Sequence, residues 1–212
     1  MSATTLKDLF IDELKDMYDA EQRITKAFPK MVEAAESEQV SSAFQGHLDQ
    51  TEERVSRLEE IFDMFDETPT RKSCRAMIGL LEESEELMKE DGSPGIRDAA
   101  LIAAVQKVEH YEIATYGCLR AWAERLGKDH ASEILQESLD EIGTSTELLT
   151  EIAGTIEEID GDAPAAAVQD DVELTPSQRI VTAGADDDEA PAGSEPAPSR
   201  RSTGRARAQK RR

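Results

Sequence analysis

Aromatic residues are scarce: Phe, Trp and Tyr make up 4% of the 212 residues, with only 12 glycines and 8 prolines. A β-sandwich or barrel draws on aromatic and β-branched residues and on frequent turns, so this composition argues against one. Two cysteines, Cys74 and Cys118, are too few for a disulfide framework or a cysteine-rich zinc site. Both read as reduced core residues. No apolar run approaches the roughly 20 residues that span a bilayer. The opening segment MSATTLKDLFIDELKD is acidic and amphipathic and lacks the apolar core of a secretion signal. A cytoplasmic location with no membrane partner is expected.

Charge, by contrast, is plentiful and one-sided. Forty-six acidic residues against 24 Lys and Arg give a net charge of −22. Residues 1–159 carry −20, residues 160–199 carry −9 and residues 200–212 carry +7. Every aromatic lies at or before Trp122, and five of the eight prolines follow residue 160. A segment that polar has too little apolar surface to offset its ordering entropy. The expected organisation is a folded domain over 1–159, an acidic disordered linker over 160–199 and a basic disordered tail over 200–212.

Residues 1–159 read as helix almost throughout. Phe10, Leu14, Met17, Glu21, Ile24 and Phe28 recur at alternating spacings of four and three, the seam of a helix bundle. Pro29 should kink this first helix, about 4–35, or split off its last turns. A second helix, about 38–65, carries Phe44, Leu48, Thr51, Val55, Leu58, Phe62 and Phe65 on one seam and ends at Thr68-Pro69-Thr70. A shorter helix, about 72–90, stops at Asp-Gly-Ser-Pro-Gly, residues 91–95. Two more long helices follow, about 96–126 and 129–158. Four long helices with a short one between the second and third predict an all-α, ferritin-like four-helix bundle, the short helix lying in a long crossover.

Carboxylates within the seams are the main functional signal. Glu21 sits between Met17 and Ile24. In QKVEHYEIATYG the seam runs through Ile102, Gln106, Glu109, Ile113 and Tyr116, with Glu112 one turn from Glu109. Glu141 flanks a Ser138/Ile142 stripe. A buried carboxylate is costly unless it is paired or bound to a cation. Each one taken singly fits an ion pair at the seam's edge equally well; four from three helices point to a shared cation. Carboxylate oxygens with a little imidazole suit iron or manganese, among other divalent ions.

The strings ELKDMYDAEQRI, HLDQTEERVSRLEEIF, CRAMIGLLEE, DAALIAAVQKVEHYEIATYGCLRAWAERLG and LQESLDEI, in this order, resemble the YciE/YciF family of ferritin-like proteins over residues 4–158. The resemblance implies a homodimeric bundle associated with stress responses and holding a divalent metal site, iron or manganese and dinuclear in form. It places Glu21, Glu109, Glu112 and Glu141 at the metal-site carboxylates. The second helix departs from the pattern. Family members usually carry Glu or Gln just before the Thr of HLxxT, and Gln or His three residues after it; here these are Gln50 and Arg54. The chain has no Glu-x-x-His either. Gln50, Glu53, Arg54, His110 and Tyr116 are further candidates, as ligands or in support of them. If Arg54 turns inward, its guanidinium can bridge two carboxylates and replace part of a metal's charge. The site would then be weaker, single-metal or metal-free.

His47 and His130 are weaker ligand candidates. Core packing is the default for Tyr18, Tyr111 and Tyr116, and Trp122 fits a helix end or a dimer contact. The end RRSTGRARAQKRR has the charge to hold nucleic-acid phosphates without sequence preference. Three functions remain open: a metal-dependent oxidase or peroxidase-type protein handling iron, oxygen or peroxide; a non-catalytic helical stress or interaction protein with a degraded metal site; and a DNA-associated protective protein acting through its tail.

Overall fold

The computed structural model describes residues 3–89 and 92–156. The predicted linker and basic tail lie outside the described residues. Five helices follow in order: α1 Leu6–Ala34, α2 Glu38–Met64, α3 Arg75–Leu87, α4 Pro94–Arg125 and α5 Asp129–Gly154. There is no strand among the described residues, and none of their helices is long and apolar enough to cross a membrane.

Local chemistry fixes the helix ends. Thr5 and Asp8 form a reciprocal capping box at the start of α1, and Ser37 caps α2. The amides of Glu36 and Ser37 also donate to the Asp98 carboxylate at 2.8 and 2.9 Å, tying the start of α2 to the start of α4. α2 stops at Met64, ahead of the Thr-Pro-Thr expected to end it. The backbone reverses at Asp66, whose φ of 58° lies in the left-handed region that Asp tolerates better than most residues. Gly127, at φ 69°, serves the α4–α5 turn as a left-handed terminator.

Pro29 does not split α1; the helix runs through it to Ala34. Phe28 and Met31, on either side, are fully buried, so packing holds the last turns in place. Proline forfeits one backbone bond, a loss this packed face tolerates.

Register follows from cross-helix contacts. The starts of α2 and α4 meet at Ser37 and Asp98, and farther along both helices His47 and Arg54 face Glu109 and Glu112. Hence α2 and α4 run the same way. Their connection must return the length of the bundle, and α3 packs against α1 and α4 along that crossover. The pairs α1–α2 and α4–α5 are antiparallel hairpins. This is the ferritin-like arrangement. Asp19 anchors the crossover: one buried carboxylate accepts from Arg23, from Arg71 at 2.7 Å and from the Cys74 amide at 2.9 Å.

The core is a single apolar cluster that includes Phe10, Phe28, Phe44 and Phe62. Two sequence readings need correction. On α4, Gln106 and Ile113 lie at the edge, while Val105, Val108, Glu112 and Thr115 face inward. Cys74 is buried as expected, but Cys118 is exposed on the outer side of α4.

Candidate functional site: a buried arginine–carboxylate cluster

Every long helix contributes to one polar cluster inside this apolar frame. Glu21 comes from α1; His47, Thr51 and Arg54 from α2; Glu109, Glu112 and Tyr116 from α4; Glu141, Ser145 and Thr146 from α5. Glu21, Arg54, Glu109, Glu112 and Tyr116 are all 0% exposed.

Arg54 is the hub. Its Nε donates to Glu21 Oε1 at 3.1 Å. Its Nη2 donates to Glu112 Oε1 at 3.1 Å and to Thr51 Oγ1 at 2.8 Å. Its Nη1 reaches no hydrogen-bond partner and lies 4.0 Å from Glu141 Oε2. Burial alone would depress the guanidinium's pKa, but Glu21 and then Glu112 more than offset it, so the group stays charged.

Each acid is engaged differently. Glu21 Oε1 also accepts from the Tyr116 hydroxyl at 2.6 Å. Glu109 accepts from Ser145 at 2.6 Å and Thr146 at 2.9 Å, one hydroxyl on each oxygen. Burial first, then the neighbouring Glu21, pushes the Glu112 carboxyl well above the ordinary carboxylate range. Burial and Glu21 likewise push the Tyr116 phenol up, which keeps it a donor.

His47 lies between Glu109 and Glu112, with Nδ1 3.3 Å from Glu109 Oε1 and Nε2 3.5 Å from Glu112 Oε2. It stacks on Phe28 at a centroid distance of 4.7 Å. Burial, and then the Arg54 charge, lower its pKa against the pull of Glu109. A neutral ring with its proton on Nδ1 suits these neighbours, because Arg54 Nη2 sits 3.4 Å from Nε2.

The structure brings together Glu21, Glu109, Glu112, Arg54 and Tyr116. Glu141 stands at the edge, both of its oxygens taken by Arg57 at 2.7 Å. Gln50 and Glu141 line an open groove of about 680 Å³ along α5 with Glu133, Glu137 and Asp140. Two candidates fall outside the cluster. Glu53 is a solvent-facing partner of Arg57 at 3.6 Å, and exposed His110 turns its ring to the Gln106 carbonyl at 2.7 Å. His47, ranked low from sequence, belongs to the cluster. Its signal was present in the spacing 47-51-54-58, a buried row beside the apolar seam of α2. Ser145 and Thr146 gave no such signal.

A dinuclear metal centre does not fit these residues as they stand. The Arg54 guanidinium fills the space between Glu21 and Glu112 and holds an oxygen of each. Among the described residues, no group of three or more His, Cys, Asp or Glu side chains is arranged to hold a metal ion.

The fold and the inward-facing carboxylates define a ferritin-like helical bundle with an ionic centre. Residues 5–160 match the family described as a domain of unknown function, DUF892, and the chain belongs to that family. It is 40% identical over 154 residues to Protein YciF of Escherichia coli strain K12, covering 72% of this chain and 93% of that protein. The crystal structure of the E. coli stress protein YciF aligns with TM-score 0.71 at 39% identity, covering 74% of this chain and 100% of that one. YcfI from Rhodopseudomonas palustris aligns with TM-score 0.68 at 40% identity, covering 70% and 95%. A protein of Xanthomonas campestris, at 18% identity and TM-score 0.56, shares the fold.

Proposed function

We propose that this chain is a non-catalytic helical member of its stress-protein family, acting as a structural or interaction module instead of a metal-dependent oxidase. The supporting observation is Arg54, a fully buried cation joined to Glu21 and Glu112 at 3.1 Å each. A catalytic metal site needs free ligand atoms and an open coordination position. Here Ser145 and Thr146 engage both Glu109 oxygens, and Arg57 takes both oxygens of Glu141. The structural role suggested for the R. palustris relative agrees with this reading. An interaction role requires a partner, and the family resemblance makes a second copy of the chain the first to seek.

A second reading keeps a metal-dependent redox activity toward iron, oxygen or peroxide. It draws on Glu21 Oε2 and Glu112 Oε2, buried acceptors with no hydrogen-bond partner. Ferrous oxidation and peroxide consumption, measured after incubation with iron or manganese, separate the two. The proposal expects rates equal to the protein-free control, whereas turnover that scales with protein concentration contradicts it. Sedimentation velocity tests the self-association.

A further inference from the structure

We infer that Arg54 is the resident cation of a closed divalent-cation site, and that its positive charge keeps the site shut. Two fully buried carboxyl groups, Glu21 and Glu112, hold the fully buried Arg54 guanidinium, and a third, Glu109, lies against His47 beside them. Ser145 and Thr146 satisfy Glu109, but the guanidinium leaves one oxygen each of Glu21 and Glu112 unmet. Glu21 Oε2 and Glu112 Oε2 are buried acceptors without a hydrogen-bond partner, and the Arg54 Nη1 donor is likewise unpartnered. What remains is one free oxygen on each of the two acids that Arg54 joins. A planar group of charge +1 reaches one oxygen each of Glu21 and Glu112. A small ion of charge +2 with several coordination positions would engage the free oxygens of Glu21 and Glu112 together.

Without the guanidinium, the same pocket is lined by hard oxygens and one imidazole, a donor set that suits manganese, iron or cobalt as divalent ions. With Arg54 in place, the chain folds around its own cation. Its stability is then independent of metal supply, unlike proteins whose site is completed by the ion. This inference rests on the proposed reading of the bundle centre as closed. The two fail separately: peroxide or ferrous turnover by the natural chain overturns the functional reading, and metal binding at the cluster overturns this one.

The experiment compares full-length natural protein with Arg54→Gln, Arg54→Lys and the double variant Arg54→Gln/Glu112→Gln, titrated with cobalt(II) against excess magnesium. Visible absorption and equilibrium dialysis read binding, and melting with and without EDTA reads coupling to folding. The natural chain should show no ligand-field band and a Tm unchanged by EDTA. Arg54→Gln should bind about one to two equivalents. Its Tm should rise by roughly 5–10 °C at a hundredfold excess over Kd. Arg54→Lys should bind none, and the double variant should lose most of the gain. Cluster binding by the natural chain overturns the inference. So does an Arg54→Gln protein that gains no metal, or that fails to fold even with metal present. Binding by Arg54→Lys equal to that of Arg54→Gln overturns the claim that charge closes the site.

Discussion

Arg54 and Tyr116, on helices α2 and α4, converge on one oxygen of α1: Glu21 Oε1 accepts from Arg54 Nε at 3.1 Å and from the Tyr116 hydroxyl at 2.6 Å. Three of the four long helices are thus joined through a single buried atom. Charge-assisted bonds of this kind are the stronger class of hydrogen bond, and each depends on the others for its geometry.

Removing the hub should be severe. Arg54→Met leaves Glu21 and Glu112 buried without a cation, and breaking a buried pair from one side costs about 3–5 kcal/mol. Denaturant unfolding at neutral pH should show that loss. Glu21→Gln added to Arg54→Met should recover part of it, because the second change removes the uncompensated charge. Strict additivity in this double-mutant cycle would contradict the coupling of the two side chains.

Tyr116→Phe removes one donor and no volume of consequence. A hydrogen bond to a charged group contributes about 1.5–3 kcal/mol, and the unfolding free energy should fall by that order. Ser145→Ala combined with Thr146→Val strips both hydroxyls from Glu109 and should cost about as much again. A change under ~0.5 kcal/mol in either variant would mean that water replaces the lost donors.

The acidity of Glu112 gives a signed pH dependence. Burial, followed by Glu21, holds its carboxyl well above the ordinary 4.5. The folded chain therefore keeps a proton that the unfolded chain releases above pH 4.5. This contribution to stability is complete below that value and declines as pH rises toward the folded-state pKa, by up to about 1.4 kcal/mol per pH unit. His47 acts oppositely. Its lowered pKa means that the unfolded chain gains a proton the folded one refuses as pH drops below 6.5. Glu112→Gln mimics the protonated form, so its stability relative to the natural chain should improve as pH rises from 4.5 toward the folded-state pKa. A constant difference over that range would contradict a raised Glu112.

Much of this was legible in the sequence, for identifiable reasons. The seams of α1 and α2 alternate cleanly between apolar and charged faces, so Glu21 and the inward option for Arg54 could be read from spacing. α4 is apolar around much of its circumference, which left its seam ambiguous and placed Gln106 and Ile113 too far inside. Glu109 and Glu112 were still found, because they stand one turn apart. Capture of Glu141 by Arg57 depends on the register of α2 against α5, and the hydroxyls on Glu109 depend on that of α4 against α5. No single-helix pattern carries either. At Pro29 the local penalty is visible in sequence, whereas the packing of Phe28 and Met31 that carries the helix past it without a split is not.

Crystals of the full chain grown with excess manganese, with diffraction recorded for anomalous scattering, test the central claim most directly. The account predicts guanidinium density between Glu21 and Glu112 and no anomalous peak at ligand distance from Glu21, Glu109 or Glu112. A manganese peak bridging those carboxylates, with Arg54 turned out of the cluster, would contradict it.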